Sequence, residues 1–312
     1  MAKRVVLVAL ASAPAALAGC SSSEIGPPTK VTMVTSGGFI RPGDAVSSPD
    51  GKTFYFTAFS DQLDENDQRL PAIYKVSSEP GSIAEPLVTG APLRSPTGLV
   101  MSCDGGTLYV ADLLAGEDDG GAVFALPTAG GALADLGAGI ARATGLAMRA
   151  DCKTLHVTGR TAERAPAVFT LPAAGGAAAV LYSGEPLLQP SGIHVDGNGV
   201  SWVMDQRAQG TKGQGVLWAI PADGSIATEV ASDLRMGMPG GVSLIASGGV
   251  AVMPTRDADD QAQLTTVVIA TGETSQLPVA DMAAPAGIRT ARDVGVMAVV
   301  DADGAIYRAD DE

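Results

Sequence analysis

The chain has 312 residues, a formal net charge of −14 at pH 7, 39 glycines and an aromatic content of only 4%. Phosphate backbones repel so acidic a chain, which argues against a nucleic-acid partner. After the N-terminal leader, no segment reaches the roughly 18 consecutive apolar residues of a membrane-spanning helix, so we expect none.

The chain begins MAKRVVLVALASAPAALAGC, which has the pattern of an export signal. A Lys-Arg pair precedes an apolar stretch, residues 5–18, that is too short to cross a bilayer. Its Leu-Ala-Gly-Cys ending resembles the lipobox of bacterial lipoproteins. The resemblance implies cleavage before Cys20, a diacylglycerol on its thiol, and, from Ser21, sorting to the outer membrane. An ordinary signal peptide with an incidental cysteine is the alternative.

We divide the chain into three predicted parts. Residues 1–19 are the predicted lipoprotein signal peptide, and residues 20–30 are the lipidated Cys20 with a flexible, polar tether. Residues 31–312 are expected to form one domain. Several acyl chains anchor a protein firmly, since each buried CH₂ contributes about 0.8 kcal/mol. The predicted location is the cell envelope, at the outer membrane, with the domain on its periplasmic or surface side.

One sequence repeat, represented by SPTGLVMSCDGGTLYVAD at residues 95–112, occurs six times. The repeats align on one position near their start, two residues after a proline in most copies, which we call the anchor. The anchors are Asp44, Gly98, Gly145, Gly192, Gly241 and Gly287. The intervals between them are 54, 47, 47, 49 and 46 residues. Each copy predicts two strands and is followed by two more, with alternating apolar residues and Gly, Asp or Asn turns. A period of this length in β-type sequence indicates an array of four-stranded units.

Six such units predict an all-β fold, a six-bladed β-propeller with four antiparallel strands per blade. The last unit has only three strands after Pro285. A fourth is available at the start of the domain as KVTMVTSG, residues 30–37. We expect this N-terminal strand to complete the last blade and close the ring, because pairing would cover an exposed strand edge.

Aromatic side chains recur at equivalent positions of the predicted second and third strands. They are Tyr55, Tyr109, His156 and Trp202 on second strands, and Tyr74, Phe124, Phe169, Trp218 and Tyr307 on third strands. We interpret them as filling the gaps between blades, which widen outward. An aromatic platform for stacking sugars is the alternative.

If Cys20 carries lipid, two cysteines remain. Cys103 and Cys152 both fall in the predicted turn between first and second strands of neighbouring units. Equivalent turns lie on one face, so we hypothesise a disulfide, which an oxidising envelope compartment permits. Two buried free thiols are the alternative.

Acidic residues occur at two kinds of position. Asp112, Asp205 and Asp301 end the second strands of alternate units, too far apart by propeller geometry to share one cation. We expect each to accept hydrogen bonds from backbone amides of the following loop. Acidic loops also follow second strands at residues 60–69, 116–121 and 255–261. They are either solvated loops or a face for a cation or basic partner.

Several segments resemble known propeller families. SPTGLVMSCDGGTLYVAD and QPSGIHVDGNGVSWVMD resemble repeats of NHL and gluconolactonase-like propellers, and SPDGKTFYFTAF resembles repeats of TolB-type propellers. The gluconolactonase resemblance implies a divalent metal at the channel mouth. The positions that would carry some of its ligands hold Thr97, Thr144, Ser191, Gly240 and Ala286. Asp44 is the one acid at a channel-mouth anchor, so this chain departs from the metal-binding pattern.

Our candidate ligand site at the channel mouth consists of Asp44, Ser191 and His194. No acid or oxyanion donor completes a triad around His194, so no catalytic residue, metal ligand or cofactor is predicted. The alternative is a bound divalent cation such as Ca²⁺. The function expected is a non-catalytic binding or interaction scaffold for a protein or small molecule on the acidic-loop face. The alternatives are a metal-dependent lactonase or hydrolase and a subunit of an envelope complex.

Overall fold

A computed structural model describes residues 26–116, 120–207, 214–237, 239–245, 248–292 and 294–311. The predicted signal peptide, Cys20 and the first part of the tether lie outside the described residues. Within those ranges, no helix has the length and apolar character needed to cross a membrane.

The described residues form 25 β-strands. In chain order they are β1 (Lys30–Ser36), β2 (Phe39–Ile40), β3 (Ala45–Ser47), β4 (Thr53–Leu63), β5 (Arg69–Ser77), β6 (Glu85–Thr89), β7 (Pro96–Met101), β8 (Thr107–Asp112), β9 (Ala122–Pro127), β10 (Ala134–Asp135), β11 (Leu146–Met148), β12 (Thr154–Arg160), β13 (Pro166–Pro172), β14 (Ala179–Ser183), β15 (Pro190–Val195), β16 (Ser201–Asp205), β17 (Gln214–Ile220), β18 (Thr228–Met236), β19 (Ser243–Ile245), β20 (Val250–Arg256), β21 (Ala262–Val268), β22 (Thr274–Pro278), β23 (Pro285–Thr290), β24 (Met297–Asp301) and β25 (Ala305–Asp310).

These strands form five hydrogen-bonded antiparallel sheets. Strands β2 to β6, β7 to β10 and β11 to β14 form one sheet each. The largest sheet has eight strands, in which β15 to β18 and β19 to β22 meet through the pairs Arg235–Arg256 and Met236–Thr255. The remaining sheet has the order β1-β25-β24-β23, with Lys30 opposite Asp310 and Ser36 opposite Ala305. The first described strand therefore pairs with the last.

Four of the turns between first and second strands share one construction. Gly51, Gly105 and Gly199 occupy its last position with φ of 74°, 75° and 83°, a left-handed conformation that glycine adopts readily. Cys152 occupies the same position with φ of 58°. The DGNG segment at residues 196–199 forms a hairpin, in which the Asp196 N–H donates to Val200 O over 3.1 Å. Its loop is wider than the tight primed turn that the dipeptides favour.

Side chains of neighbouring sheets interlock to form the core. Tyr55 of β4 packs with Leu99 and Leu108 of the next sheet, and Trp202 of β16 packs with Leu244 and Met253. Their exposed fractions are 9% for Tyr55 and 7% for Trp202, so Tyr55 fills space between two sheets and Trp202 fills space between the two halves of the eight-stranded sheet. The filler interpretation is confirmed at these positions. Trp218 is the exception, since it is only partly buried.

The first strands approach one another closely at their anchor glycines. A Cβ atom on Gly98 would lie 2.3 Å from Thr144 O, one on Gly145 would lie 2.1 Å from Ser191 O, and one on Gly192 would lie 2.4 Å from Gly240 O. Such distances exclude any side chain, because the backbones themselves are in contact. The space left among the anchors is a void of about 10 Å³. The strands spread apart only beyond this constriction.

Candidate ligand-binding cavity

Beyond the constriction lies a cavity of about 970 Å³. Six strands line it, namely β3, β7, β11, β15, β19 and β23, together with the turns that follow them. The residue two positions after each anchor contributes to the wall in every case. Those six residues are Val46, Val100, Ala147, His194, Ser243 and Arg289. The volume is at the upper end of the range of small-molecule sites, and one half of this ring is apolar while the other half is polar.

Arg289 is the central charged group of the polar half, and only 6% of it is exposed. Its Nη2 donates to Leu146 O over 2.6 Å and its Nη1 donates to Ile193 O over 2.5 Å. Nη2 also lies 3.5 Å from a carboxylate oxygen of Asp44. The guanidinium thus joins β23 to β11, to β15 and to the residue preceding β3. Its Nε has no hydrogen-bond partner among the described residues.

Asp44 is buried, with 6% of its surface exposed. Its carboxylate accepts hydrogen bonds from the amides of Ala45, over 3.0 Å, and Leu99, over 3.1 Å. Burial raises the pKa of Asp44, and the nearby Arg289 and the two amides oppose that shift. The residue borders the small void rather than the large cavity. Its carboxylate is already engaged by neighbouring groups of the chain.

His194 lines the large cavity next to Arg289. Its Nδ1 accepts a hydrogen bond from the Leu244 amide over 3.4 Å, which places the proton of the neutral ring on Nε2. Burial, helped by the positive charge of Arg289, lowers the pKa of His194 to about 3. At neutral pH the ring is therefore uncharged and offers an N–H donor.

Ser243 and Thr290 add hydroxyl groups to the same side of the cavity. Their oxygen atoms lie 2.7 Å apart, and the Thr290 amide donates to Ser243 Oγ over 3.1 Å. When Ser243 donates to Thr290, the Thr290 hydroxyl hydrogen is left for the cavity. His194 Nε2 and the Thr290 hydroxyl are thus two hydrogen-bond donors beside the positive charge of Arg289, and the three residues are here called the donor cluster.

The three residues of the predicted channel-mouth site occupy different places. Ser191 Oγ donates to backbone oxygens of Met204, over 3.1 Å, and Gly240, over 2.9 Å, and it lines neither space. Arg289, which the sequence analysis missed, contacts Asp44 and neighbours His194. The available signal was its repeat position, since a basic residue stands where the first two repeats have valine.

The acidic loops fold back on themselves. Asp64 Oδ1 accepts from the amides of Asn66 and Gln68 over 2.9 and 2.8 Å, and Asp257 Oδ1 accepts from those of Asp259 and Gln261 over 2.9 and 2.8 Å. Residues 117–119 of the third loop lie outside the described residues. Across the described part of the chain, no three His, Cys, Asp or Glu side chains are grouped as metal ligands. A partner on this face stays a prediction.

The carboxylates that end alternate second strands bind backbone amides, as expected. Each accepts from the amide two residues onward, which belongs to Leu114, Arg207 or Asp303. Each also accepts from two amides that precede its own first strand. These are Arg94 and Ser95 for Asp112, Leu188 and Gln189 for Asp205, and Ala283 and Ala284 for Asp301. The prediction is confirmed and extended, because each carboxylate ties together two loops.

We expect Asp301→Asn to lower the free energy of unfolding by about 2–3 kcal/mol, because an amide group cannot accept on both of its terminal atoms. Asp301 is 3% exposed and bonds three amides, so at least one buried N–H loses its partner. Urea unfolding measures the change. The matched control is Asp303→Asn, at an exposed position, for which we expect less than about 0.5 kcal/mol. Equal effects of the two substitutions would contradict the assignment.

The cysteines lie where the sequence places them. Cys103 is in the turn after β7 and Cys152 in the turn after β11. They are joined as a disulfide, with Cα atoms 5.6 Å apart. The oxidation state of the two cysteines in solution remains a prediction.

His156, the second histidine, is expected to make the stability of the fold sensitive to acid. His156 is 3% exposed and its Nδ1 lies 2.7 Å from Ser201 Oγ. Burial, with a contribution from Arg149, lowers the pKa of His156 to about 4. In the unfolded chain the histidine is protonated below about pH 6.5, whereas in the folded chain it is protonated only below about pH 4. The contribution of His156 to the free energy of unfolding therefore falls as the pH is lowered from about 6.5 to about 4.

We therefore expect His156→Phe to flatten the dependence of unfolding free energy on pH, by up to about one proton between pH 6.5 and 4. Phenylalanine suits the position because the equivalent residues of other units are Tyr55, Tyr109 and Trp202. Urea titrations at four pH values give the slope. An unchanged slope would contradict the buried neutral state of His156.

Comparison with known proteins concerns the fold. No protein-family model and no curated protein matches the chain. Many solved structures do, including a nidogen/laminin complex with 17% identity and a TM-score of 0.58, over 74% of this chain and 82% of that one. A putative TolB from Agrobacterium tumefaciens has 18% identity and a TM-score of 0.56, over 88% and 90%. A protein of unknown function from Bacteroides thetaiotaomicron has 13% identity and a TM-score of 0.64, over 92% and 73%. The chain therefore has an all-β propeller fold.

Proposed function

We propose that this chain is a lipid-anchored, extracytoplasmic propeller that acts as a non-catalytic binding scaffold. One observation carries the proposal. The cavity of about 970 Å³ is bordered by the donors His194 Nε2 and the Thr290 hydroxyl, whereas the Asp44 carboxylate and the Ser191 hydroxyl, expected to bind a ligand, are engaged with the backbone of the chain. Such a combination favours holding a ligand over transforming it.

We further propose six blades, closed by the N-terminal strand. Six strands line the cavity, and the eight-stranded sheet divides naturally into two groups of four that meet through two residue pairs. The pairing of β1 with β25 supports closure between the two ends of the domain. In this arrangement the last blade would comprise β23, β24, β25 and β1.

The envelope location rests on the leader and on the fold. The lipobox-like ending at Cys20 supports anchoring, and the similarity in fold to a putative TolB supports an envelope or periplasmic setting. NHL-type or gluconolactonase-type membership rests on the repeat segments alone. A lactonase would require a cation site at Asp44, whose carboxylate already interacts with Arg289 and two amides.

Two experiments test the proposal. A thermal-shift screen with small molecules should yield ligands that stabilise the full chain and lose their effect in Met148→Trp, in which an indole occupies the cavity. A parallel panel of lactones and esters should show no turnover, and turnover abolished by Asp44→Ala would overturn the non-catalytic assignment. Labelling with radioactive palmitate should mark the chain and not Cys20→Ser, and an unlabelled chain would overturn the anchor.

A further inference from the structure

We infer that the cavity binds a small organic monocarboxylate with an apolar body, its carboxylate held by the donor cluster. The inference rests on the proposed function as a binding scaffold and adds the chemical class of the ligand.

The donors are matched to an oxygen acceptor. Arg289 is 6% exposed, and its Nε is shielded from the cavity, so the guanidinium contributes its positive charge rather than a free N–H. His194 Nε2 and the Thr290 hydroxyl border the cavity beside that charge, and both can donate to the oxygens of a ligand. No carboxylate of the chain supplies an acceptor to them in the described structure.

The charges favour one negative charge over two. Arg289 directs three of its four Nη hydrogens to Leu146 O, Ile193 O and Asp44, so it does not present an adjacent pair of free N–H groups for bidentate binding. His194 is neutral at physiological pH and adds a donor without charge. A phosphate would require more donors and more positive charge than this cluster holds. A single carboxylate fits the donors that remain.

The rest of the wall defines the body of the ligand. Val46, Val100 and Ala147 occupy the half of the ring opposite the polar residues, and Met101 and Met148 extend that surface. Methionine side chains adapt to varied apolar shapes, which suits an alkyl or aryl group of several carbons. The volume of about 970 Å³ leaves room for such a body beside the carboxylate.

The test uses a matched pair of probes, 4-phenylbutanoate and 4-phenylbutanamide, titrated calorimetrically into the full chain near neutral pH. They share the apolar body and differ in charge. We expect the acid to bind at least about tenfold more tightly, because hydrogen bonds to an ionised acceptor are roughly twice as strong as neutral ones. Inorganic phosphate at equal concentration should not compete.

Three variants locate the binding. Thr290→Val keeps the side-chain shape and should weaken the acid about fivefold while changing the amide less than twofold. Met148→Trp should abolish binding of both probes. Arg164→Leu, at an exposed position that does not line the cavity, is the matched control and should change neither by more than about twofold. Circular dichroism and urea unfolding confirm that each variant is folded.

The outcomes separate this inference from the proposed function. Equal affinity for acid and amide, with loss of both in Met148→Trp, overturns the carboxylate while supporting a binding cavity. Competition by phosphate overturns the monocarboxylate assignment. Failure of both probes to bind also overturns it, and the library screen then decides the scaffold function independently.

Discussion

Replacing Arg289 by leucine will lower the free energy of unfolding by about 3–5 kcal/mol, the usual range for removing one partner of a buried ion pair. The substitution leaves Leu146 O and Ile193 O without donors and leaves the Asp44 carboxylate buried beside an apolar group. Three strands lose their common link at once. Urea unfolding followed by circular dichroism measures the loss.

The pH dependence of the variant provides a second readout. Burial raises the pKa of Asp44 above its ordinary value of about 3.8. Between these two values Asp44 is protonated in the folded chain and ionised in the unfolded chain. Stability from this group therefore increases as pH falls. With Arg289 gone the effect grows, and the deficit of Arg289→Leu should shrink as the pH is lowered from neutral towards the ordinary carboxyl value of about 3.8.

Two controls accompany this prediction. Arg292→Leu removes an exposed arginine three residues away and should cost less than about 0.5 kcal/mol. The double variant Asp44→Asn with Arg289→Leu cannot titrate at position 44, so its deficit should not shrink on acidification. A loss below about 1 kcal/mol for Arg289→Leu would mean that the arginine does not hold the first strands together.

Removing the pair of cysteines is expected to have an effect of similar size. Cys103 and Cys152 are 49 positions apart, and the chain-entropy treatment assigns about 4 kcal/mol to a cross-link closing such a loop. We expect the double variant Cys103→Ser with Cys152→Ser, or the reduced chain, to unfold at correspondingly lower urea concentration. Mass spectrometry after alkylation should find no free thiol at either position without reductant.

The backbone at Cys152 supplies a sharper comparison. Its φ of 58° is a conformation that costs a residue with a Cβ roughly 1 kcal/mol more than glycine. In a Cys103→Ser background, Cys152→Gly should therefore be about 1 kcal/mol more stable than Cys152→Ala. Equal stabilities would contradict the left-handed backbone, and two free thiols in the untreated chain would contradict the disulfide.

Much of the fold follows from local pattern. The repeat, the alternation of apolar residues and the turn glycines predict short strands, because each of these features acts within a few residues of the chain. The strand Lys30–Ser36, the amide-binding role of Asp301 and the juxtaposition of Cys103 with Cys152 agree with expectation. Each depends on repeat position, which the sequence displays directly.

The location of the cavity did not follow from that pattern. The repeat pattern favoured a ligand site at the anchor end of the first strands, where the glycines instead bring the backbones into contact and leave about 10 Å³. How far six strands approach one another depends on the packing of all of them. The wide space therefore opens at the other end, and the loops on the acidic side satisfy their own amides.

By itself, the sequence determined the all-β class, the repeat length, the turn positions and the likeness of the leader to a lipoprotein signal, since all of these are encoded in short or regularly spaced stretches. Only the tertiary structure decided that Arg289 meets Asp44, Leu146 and Ile193, and that His194 and Thr290 border the same space. These residues come from distant repeats, up to 245 positions apart for Arg289 and Asp44. No local signal specifies which side chains will meet at the centre, because that depends on how all the strands converge.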